Sequence, residues 1–231
     1  MIIAYNRCNM KWFRKLEFKF GTRAIPNLMM YLCIIYTVGW VISLVMPGFY
    51  YEYLSLNVPA ILHGQIWRII TWLAYPPSKS LLFGLIMIYV YWTIGRTLEM
   101  LWGSFQFNVF IFMGIIIHVI GAFVVNAVVG PHVSMLSPIT PINFSLSIML
   151  AFMASFPDAR FLLFYVIPVK AKYLGIFYIA MTVMNFIQGG PGTRAEIILS
   201  LINVVLFLII TGRAQGFVNS VKNKRNRNGF T

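Results

Sequence analysis

Long apolar stretches separated by short polar segments dominate this chain. Six of these stretches approach or reach the roughly 20 residues that an α-helix needs to cross a hydrocarbon core. The six predicted spans are Ile25 to Met46, Leu81 to Trp102, Phe105 to Val129, Pro141 to Phe156, Tyr173 to Gln188 and Ala195 to Thr211. The pattern therefore predicts an all-α polytopic membrane protein, in which residues 25–212 form one six-helix domain.

The segments outside the spans have patterns of their own. In residues 1–24, the run MKWFRKLEFKF places Trp12, Phe13, Leu16 and Phe20 near one helical stripe beside several lysines, which predicts an amphipathic helix at the membrane surface. The loop between the first two spans is rich in Tyr and Trp and is predicted to be a half-submerged helical hairpin. Residues 213–231 carry KNKRNRN and too little apolar content to fold, so a basic, disordered tail is expected.

Composition and charge set the class and the orientation. Hydrophobic residues make up 60% of the 231 and charged residues only 10%, which excludes an ordinary soluble globular protein. Fourteen of the 18 Lys and Arg residues fall on the side of the two termini, so both termini are predicted to be cytoplasmic. We expect the cytoplasmic membrane of a bacterium or, for a eukaryotic chain, the endoplasmic reticulum membrane.

The same charges predict the partners. The net charge of +13 predicts that the basic termini attract anionic lipid head groups. Nucleic-acid binding is the poorer explanation, because the basic residues follow the topology and form no separate domain. The sequence has no CxxC and no HExxH pattern, so neither a metal nor a cofactor is predicted. His118 is interpreted as a buried side chain that bonds to a neighbouring helix.

Three segments carry a family resemblance. They are GQIWRIITW (Gly64 to Trp72), YWTIGRTLEMLWGSFQFNVF (Tyr91 to Phe110) and FPDARFLLFYVIPVKAKYL (Phe156 to Leu174). In order and spacing they resemble the rhomboid superfamily, which includes bacterial rhomboid proteins, rhomboid pseudoproteases and Derlins. The resemblance implies a rhomboid-like bundle with an interfacial first loop. Its motif residues here are Trp67, Arg68, Gly95, Arg96, Glu99, Trp102 and Gly103.

Two charged residues of the second span are predicted to form a polar clasp. Arg96 and Glu99 are three residues apart, so they share a helix face near the cytoplasmic end. Glu99 opposes the negative end of its helix and needs a partner, either Arg96 or backbone N–H groups of the turn at Gly103 and Ser104. Glu17 is expected to touch only the amphipathic helix.

The resemblance permits a test for catalysis, which in rhomboids requires a serine nucleophile and a histidine base. The tetrapeptide that matches the family's Gly-x-Ser-Gly reads Thr-Pro-Ile-Asn, with Ile142 in the place of the nucleophile. Phe83 and Met87 replace the polar pair of span two. Glu196 is the nearest match to the histidine of span six, and no histidine follows His132. The resemblance therefore implies a protein without the rhomboid Ser/His dyad.

By this resemblance we expect a catalytically inactive membrane protein that binds transmembrane segments of client proteins for retention, delivery or quality control. The alternative is an active intramembrane serine protease with a displaced centre, in which Ser145 or Ser147 is approached by Glu196 or Asn203. A transporter is disfavoured, because the chain lacks paired broken helices and a central charge cluster. The oligomeric state is left open.

Overall fold

The computed structural model describes residues 11–75, 80–131, 139–155, 160–163 and 167–211. The predicted disordered tail and the part of the N-terminal segment before Lys11 lie outside these residues. Within them, α1 (Lys11–Phe20) precedes a 3₁₀ turn at Gly21–Arg23 and the long helix α2 (Leu28–Val45). The first loop contains a π-helical turn (Tyr50–Leu54) and the short helices α3 (Val58–Leu62) and α4 (Arg68–Thr71).

The second half of the fold consists of long helices joined by short connections. They are α5 (Leu81–Trp102), α6 (Ser104–Val129), α7 (Ile142–Ser155), α8 (Ala171–Gln188) and α9 (Pro191–Ile210). A helix thus lies at each position where the sequence predicts a span. Leu28–Val45, Ser104–Val129 and Pro191–Ile210 are, among the described helices, those both long and apolar enough to cross a membrane. The six-span arrangement and its orientation stay predictions.

The connection between α7 and α8 departs from the all-α prediction. It contains two antiparallel strands, β1 (Arg160–Leu163) and β2 (Ile167–Lys170), with Arg160 opposite Lys170. Strand pairing satisfies the backbone donors and acceptors of a segment that does not continue as a helix. No secondary structure was assigned to this connection from the sequence, and the pairing of its two halves forms the hairpin.

Two helix boundaries also differ from the predicted ones. The first long helix begins at Leu28, because Asn27 before it has a left-handed backbone (φ 56°) that cannot belong to a helix. The last helix begins four residues earlier than predicted, at Pro191, where the missing N–H of proline costs no helical hydrogen bond.

The helices pack around an aromatic core. Helix α9 packs against α6 and α7, and α2 packs along α5. Helix α5 also contacts α6 and α7, whereas α8 contacts α7 and α9. The Trp102 ring stacks on Phe207 at a centroid distance of 4.6 Å, and Phe110 meets Phe207 edge-on at 5.0 Å. These contacts tie the end of α5 to α6 and α9, and they hold in place the helix faces that carry the candidate site.

Candidate functional site

Three of the positions that the sequence resemblance aligned with polar or catalytic residues carry accessible apolar side chains. Ile142 is the first residue of α7 and is 46% exposed. Phe83 and Met87 lie on α5 and are 62% and 37% exposed. Hydrocarbon and thioether side chains can neither take nor give a proton, so these positions cannot perform acid–base or nucleophilic chemistry.

Glu196 lies in a different environment from the one expected for a displaced catalytic centre. Its carboxylate is buried and accepts hydrogen bonds from the backbone N–H of Thr140 and from Asn143 Nδ2, the latter at 2.6 Å. Glu196 therefore joins α9 to the start of α7 and bonds to neither Ser145 nor Ser147. The alternative hypothesis of a displaced protease centre requires Glu196 to approach these serines, and it does not do so, because Thr140 and Asn143 bond to its oxygens.

Ser145 and Ser147 donate their hydroxyl protons within their own helix. Ser145 Oγ donates to the Ile142 carbonyl at 2.5 Å, and Ser147 Oγ donates to the Phe144 carbonyl at 2.7 Å. Back-bonding of this kind is the usual behaviour of serine in a transmembrane helix. Asn203 does approach Ser147, with Nδ2 at 3.4 Å from Oγ, but an amide nitrogen that donates is not a base.

His118 and Ser200 form a contact that the sequence reasoning missed. His118 Nε2 lies 3.1 Å from Ser200 Oγ, and Nδ1 lies 2.8 Å from the Gly114 carbonyl oxygen. Because a carbonyl only accepts, the network assigns a proton to Nδ1 and directs Nε2 at the serine. Ser200 Oγ also lies 2.5 Å from the Asn143 carbonyl, so the single serine proton is directed either to that carbonyl or to His118 Nε2. His118 is thus buried and bonded to a neighbouring helix, as the sequence was interpreted.

These contacts join three helices through six polar side chains. His118, Ser200, Asn143 and Glu196 are linked in one series, and Asn203 and Ser147 form a separate pair. We refer to these six, His118, Asn143, Ser147, Glu196, Ser200 and Asn203, as the polar cluster. All six side chains are buried. The Trp72 ring stacks over the His118 imidazole at 5.8 Å, and the Phe144 ring meets it edge-on at 5.5 Å. Aromatic rings therefore cover the histidine of the cluster.

A sequence signal for the polar cluster exists in α9. Glu196, Ser200 and Asn203 are spaced by four and three residues, so they lie on one helix face. Asn143 and Ser147, four residues apart on α7, form the matching stripe. Polar stripes in two apolar helices indicate that the helices face each other, because unpaired polar groups are costly in a membrane. His118, the cluster member on α6, belongs to no comparable polar stripe, so the spacing of polar residues does not predict its contact.

The predicted clasp at the end of α5 forms through Asn27. Glu99 Oε1 accepts from the Asn27 backbone N–H at 2.6 Å and from Ser104 Oγ at 3.0 Å. Arg96 Nη1 donates to Asn27 Oδ1 at 2.9 Å. The sequence left Arg96 and the backbone N–H groups of the turn open as partners of Glu99. In the described residues the partners are instead the Asn27 N–H and the Ser104 hydroxyl, because Asn27 lies between the two charged side chains, donating to Glu99 and accepting from Arg96. The clasp fixes the start of α2 against the end of α5.

Arg68 organises the first loop. Its guanidinium is buried and donates to the Ser55 carbonyl at 3.0 Å, to Gln65 Oε1 at 2.6 Å and to the Glu52 carbonyl. Removal from water lowers the pKa of Arg68, but the ordinary guanidinium pKa is so high that the group stays charged. The half-exposed Trp67 donates from Nε1 to the Tyr53 carbonyl at 3.2 Å. Both motif residues thus hold the loop together.

The remaining motif residues shape the turn between α5 and α6. Gly103 has φ 86°, a left-handed backbone that disfavours other residues, and its N–H donates to the Glu99 carbonyl at 2.9 Å. Trp102 is buried among aromatic rings. Gly95 lies against the Met29 side chain of α2. In the structure, these residues therefore serve packing and turn formation.

The polar side chains of the cluster are engaged in hydrogen bonds. Nowhere in the described residues do three or more His, Cys, Asp or Glu side chains form a group that could hold a metal ion. The two ionisable members of the polar cluster, His118 and Glu196, are bonded to hydroxyl, amide and carbonyl groups. The cluster is arranged to join helices.

Comparison with known proteins gives the class of the chain. None of the curated proteins or solved structures compared with it matches. A family model described as eukaryotic integral membrane protein (DUF1751) matches residues 28–217. The bacterial source expected from the sequence is not borne out, whereas the endoplasmic reticulum alternative is compatible with a eukaryotic family. Because the match covers well over half of the sequence, the chain belongs to the DUF1751 family of eukaryotic integral membrane proteins.

Proposed function

We propose that this protein is a catalytically inactive, rhomboid-like membrane protein that binds transmembrane segments of other membrane proteins. The observation that carries the proposal is the exposed Ile142 side chain, which stands at the position aligned with the nucleophile and has no group that a base could activate. The polar cluster supports it, because its members are engaged in hydrogen bonds that join α6, α7 and α9. Retention, delivery or quality control of client proteins is the role that the rhomboid-like resemblance implies.

The surface on either side of α7 is the proposed client site. Helices α5 and α8 both contact α7. The Tyr91 hydroxyl of α5 lies 3.1 Å from Ser145 Oγ of α7 and links the two helices beside this surface. Met87 of α5 and Val183 of α8 are exposed apolar residues. Small and hydroxyl-bearing residues promote close helix association in membranes, where apolar surface alone gives little preference over lipid.

Site-specific photo-crosslinking tests the proposal. A photo-reactive residue at Met87 or Val183 is expected to capture transmembrane segments in native membranes, identified by sequencing the crosslinked peptides. Ile120 of α6 is the matched control, because it is also an exposed apolar residue of a long helix. We expect several-fold lower capture there. Equal capture from all three positions would mean random collision in the bilayer and would contradict a specific client site.

A second candidate function is an intramembrane serine hydrolase that uses Ser200 and His118. The specific observation in its favour is the 3.1 Å distance between His118 Nε2 and Ser200 Oγ, at which an imidazole can take a serine proton. The Asn143 carbonyl, 2.5 Å from Ser200 Oγ, competes for that proton. Both side chains have no exposed surface, and Trp72 covers the imidazole. A substrate carbonyl can reach Ser200 only after the helices separate, so this candidate ranks second.

A fluorophosphonate probe separates the two candidates. We expect no labelling of the purified protein, because no accessible serine lies beside a base in the described residues. Ile142→Ser is also expected to stay unlabelled, since one substitution restores a hydroxyl and no base. Labelling that is lost in Ser200→Ala and kept in Ser145→Ala would instead establish the buried pair as a catalytic dyad.

A further inference from the structure

An apolar groove runs along one face of α6 beneath the N-terminal segment. It encloses about 560 Å³, within the roughly 300–1,000 Å³ typical of small-molecule sites. Its walls include Phe20, Arg23, Asn108, Phe112, Ile116 and Leu206. We propose that this groove, called here the α6 groove, binds an anionic glycerophospholipid with one acyl chain along α6 and the head group at Arg23.

The length of the α6 groove suits an acyl chain of one leaflet. The α6 residues that line it include Phe105, Val109, Phe112 and Ile116, whose spacing of four, three and four residues makes one continuous stripe. From the first to the last of them the helix rises about 17 Å, at 1.5 Å per residue. Half of a hydrocarbon core of roughly 30 Å is about 15 Å. The groove thus runs from the interface to about mid-membrane.

Two polar groups at the outer end of the groove define the head group. Arg23 is exposed and has no hydrogen-bond or ion-pair partner among the described residues, so its guanidinium can bind a phosphate. Asn108 is buried, and its Oδ1 has no donor within the part of the chain that is described. An unpaired buried acceptor is costly. A head group that carries both a phosphate and an ammonium or hydroxyl donor satisfies both residues.

The charge of the lining favours an anionic lipid. Arg23 is the charged residue of the lining, and no acidic residue is among the lining residues of this groove. The inference is independent of the proposed client site, which involves α5 and α8.

Native mass spectrometry of the full-length protein in detergent tests the inference. The probes are phosphatidylserine and phosphatidylcholine with the same acyl chains. We expect phosphatidylserine to bind at least tenfold more tightly. Arg23→Gln and Asn108→Leu should each reduce that preference severalfold, and Ile116→Trp, which fills the groove, should abolish most binding of either lipid.

Two matched controls make the outcome decisive. Lys15→Gln removes one exposed charge from α1, and Ile120→Trp adds the same ring to α6 one turn beyond the groove, at a residue of similar exposure. Both should bind phosphatidylserine like the wild type. Equal binding of the two lipids, or an equal loss in Lys15→Gln, would mean diffuse attraction to lipid and overturn the proposal. So would a wild-type dimer that Ile116→Trp dissociates, because a second copy would then occupy the groove.

Discussion

At the scale of single residues, the polar side chains of this protein act mainly as connections between backbone segments. Glu99 accepts a hydrogen bond from the N–H of Asn27, and Glu196 accepts one from the N–H of Thr140. Arg68 donates to carbonyls of the first loop. Each is an ionisable side chain bonded to main-chain atoms of another segment. Such bonds are stronger than those between neutral groups, and they leave a buried partner unsatisfied when removed.

Glu99→Ala is predicted to destabilise the protein by about 1.5–3 kcal/mol, the range for a hydrogen bond to a charged group. The loss follows because the Asn27 N–H, in a left-handed residue, and the Ser104 hydroxyl both lose their acceptor. Thermal unfolding in detergent measures it. Glu52→Ala is the control, because Glu52 is exposed. Equal melting temperatures of the two variants would contradict a structural role for Glu99.

Glu17 is not a suitable control for this experiment. The sequence interpretation confined it to the amphipathic helix, but Glu17 Oε1 accepts a hydrogen bond from Gln106 Nε2 at 3.0 Å. That bond links α1 to α6. The prediction that Glu17 touches only its own helix is therefore wrong, because α1 folds back against the start of α6.

A second residue-scale prediction concerns Arg68→Lys. Lysine keeps the charge but replaces the planar guanidinium with a compact ammonium group. The ammonium group cannot reach the carbonyls of Glu52 and Ser55 and the Gln65 side-chain oxygen at the same time. We expect a loss of about 1–3 kcal/mol in unfolding free energy. Faster proteolysis of the first loop would report the same loss. A variant with wild-type melting temperature and proteolysis would show that the charge alone suffices.

At the scale of elements, close helix approach depends on glycines at particular contacts. A Cβ at Gly84 of α5 would run into the Trp40 ring of α2, and a Cβ at Gly95 would run into Met29. Two large side chains of α2 thus occupy the spaces that these glycines leave. Small residues at helix interfaces let side chains of the neighbour interlock where a membrane offers no hydrophobic driving force.

Gly84→Ala is predicted to destabilise the α2–α5 pair by about 1–3 kcal/mol through overpacking against Trp40. The melting temperature should fall, and the environment of the Trp40 indole should change in fluorescence. Gly21→Ala is the matched control, since a Cβ there has nothing within 4 Å. If both alanines have the same small effect, the α2–α5 contact adjusts without cost and the packing argument fails.

At the scale of the whole molecule, the proposed lipid and client sites both depend on the transmembrane topology. The charge asymmetry predicts both termini on the cytoplasmic side, and the family match establishes an integral membrane protein. The proposed lipid site requires Arg23 to lie at an interface. The proposed client site requires α5 and α8 to face lipid. Both requirements depend on which helices cross the bilayer and in which direction.

Cysteine accessibility tests the topology. Ala60→Cys in the first loop and Ser220→Cys in the tail, in a Cys8→Ser background, are predicted to react with a membrane-impermeant maleimide from opposite sides of sealed vesicles. Cys33 is buried and should not react with the maleimide from either side of the vesicles. Labelling of both introduced cysteines from the same side would contradict the six-span model.

The sequence by itself determined the membrane class and the approximate position of each long helix. Apolar length and the exclusion of charge act locally along the chain, so they can be read without a fold. The same locality limits the boundaries. Asn27 and Pro191 set helix starts through backbone conformation, and the β1–β2 pair depends on contact between two segments that are each ambiguous alone.

Only the tertiary structure decided which polar groups meet. Neither the 3.1 Å contact of His118 with Ser200 nor the bond of Glu99 to Asn27 follows from spacing, because the partners are 82 and 72 residues apart and on different elements. The α6 groove likewise needs α6, α9 and the N-terminal segment to be placed together. Helix periodicity indicates which face of a helix is polar. The packing of the whole bundle decides which neighbouring helix that face contacts.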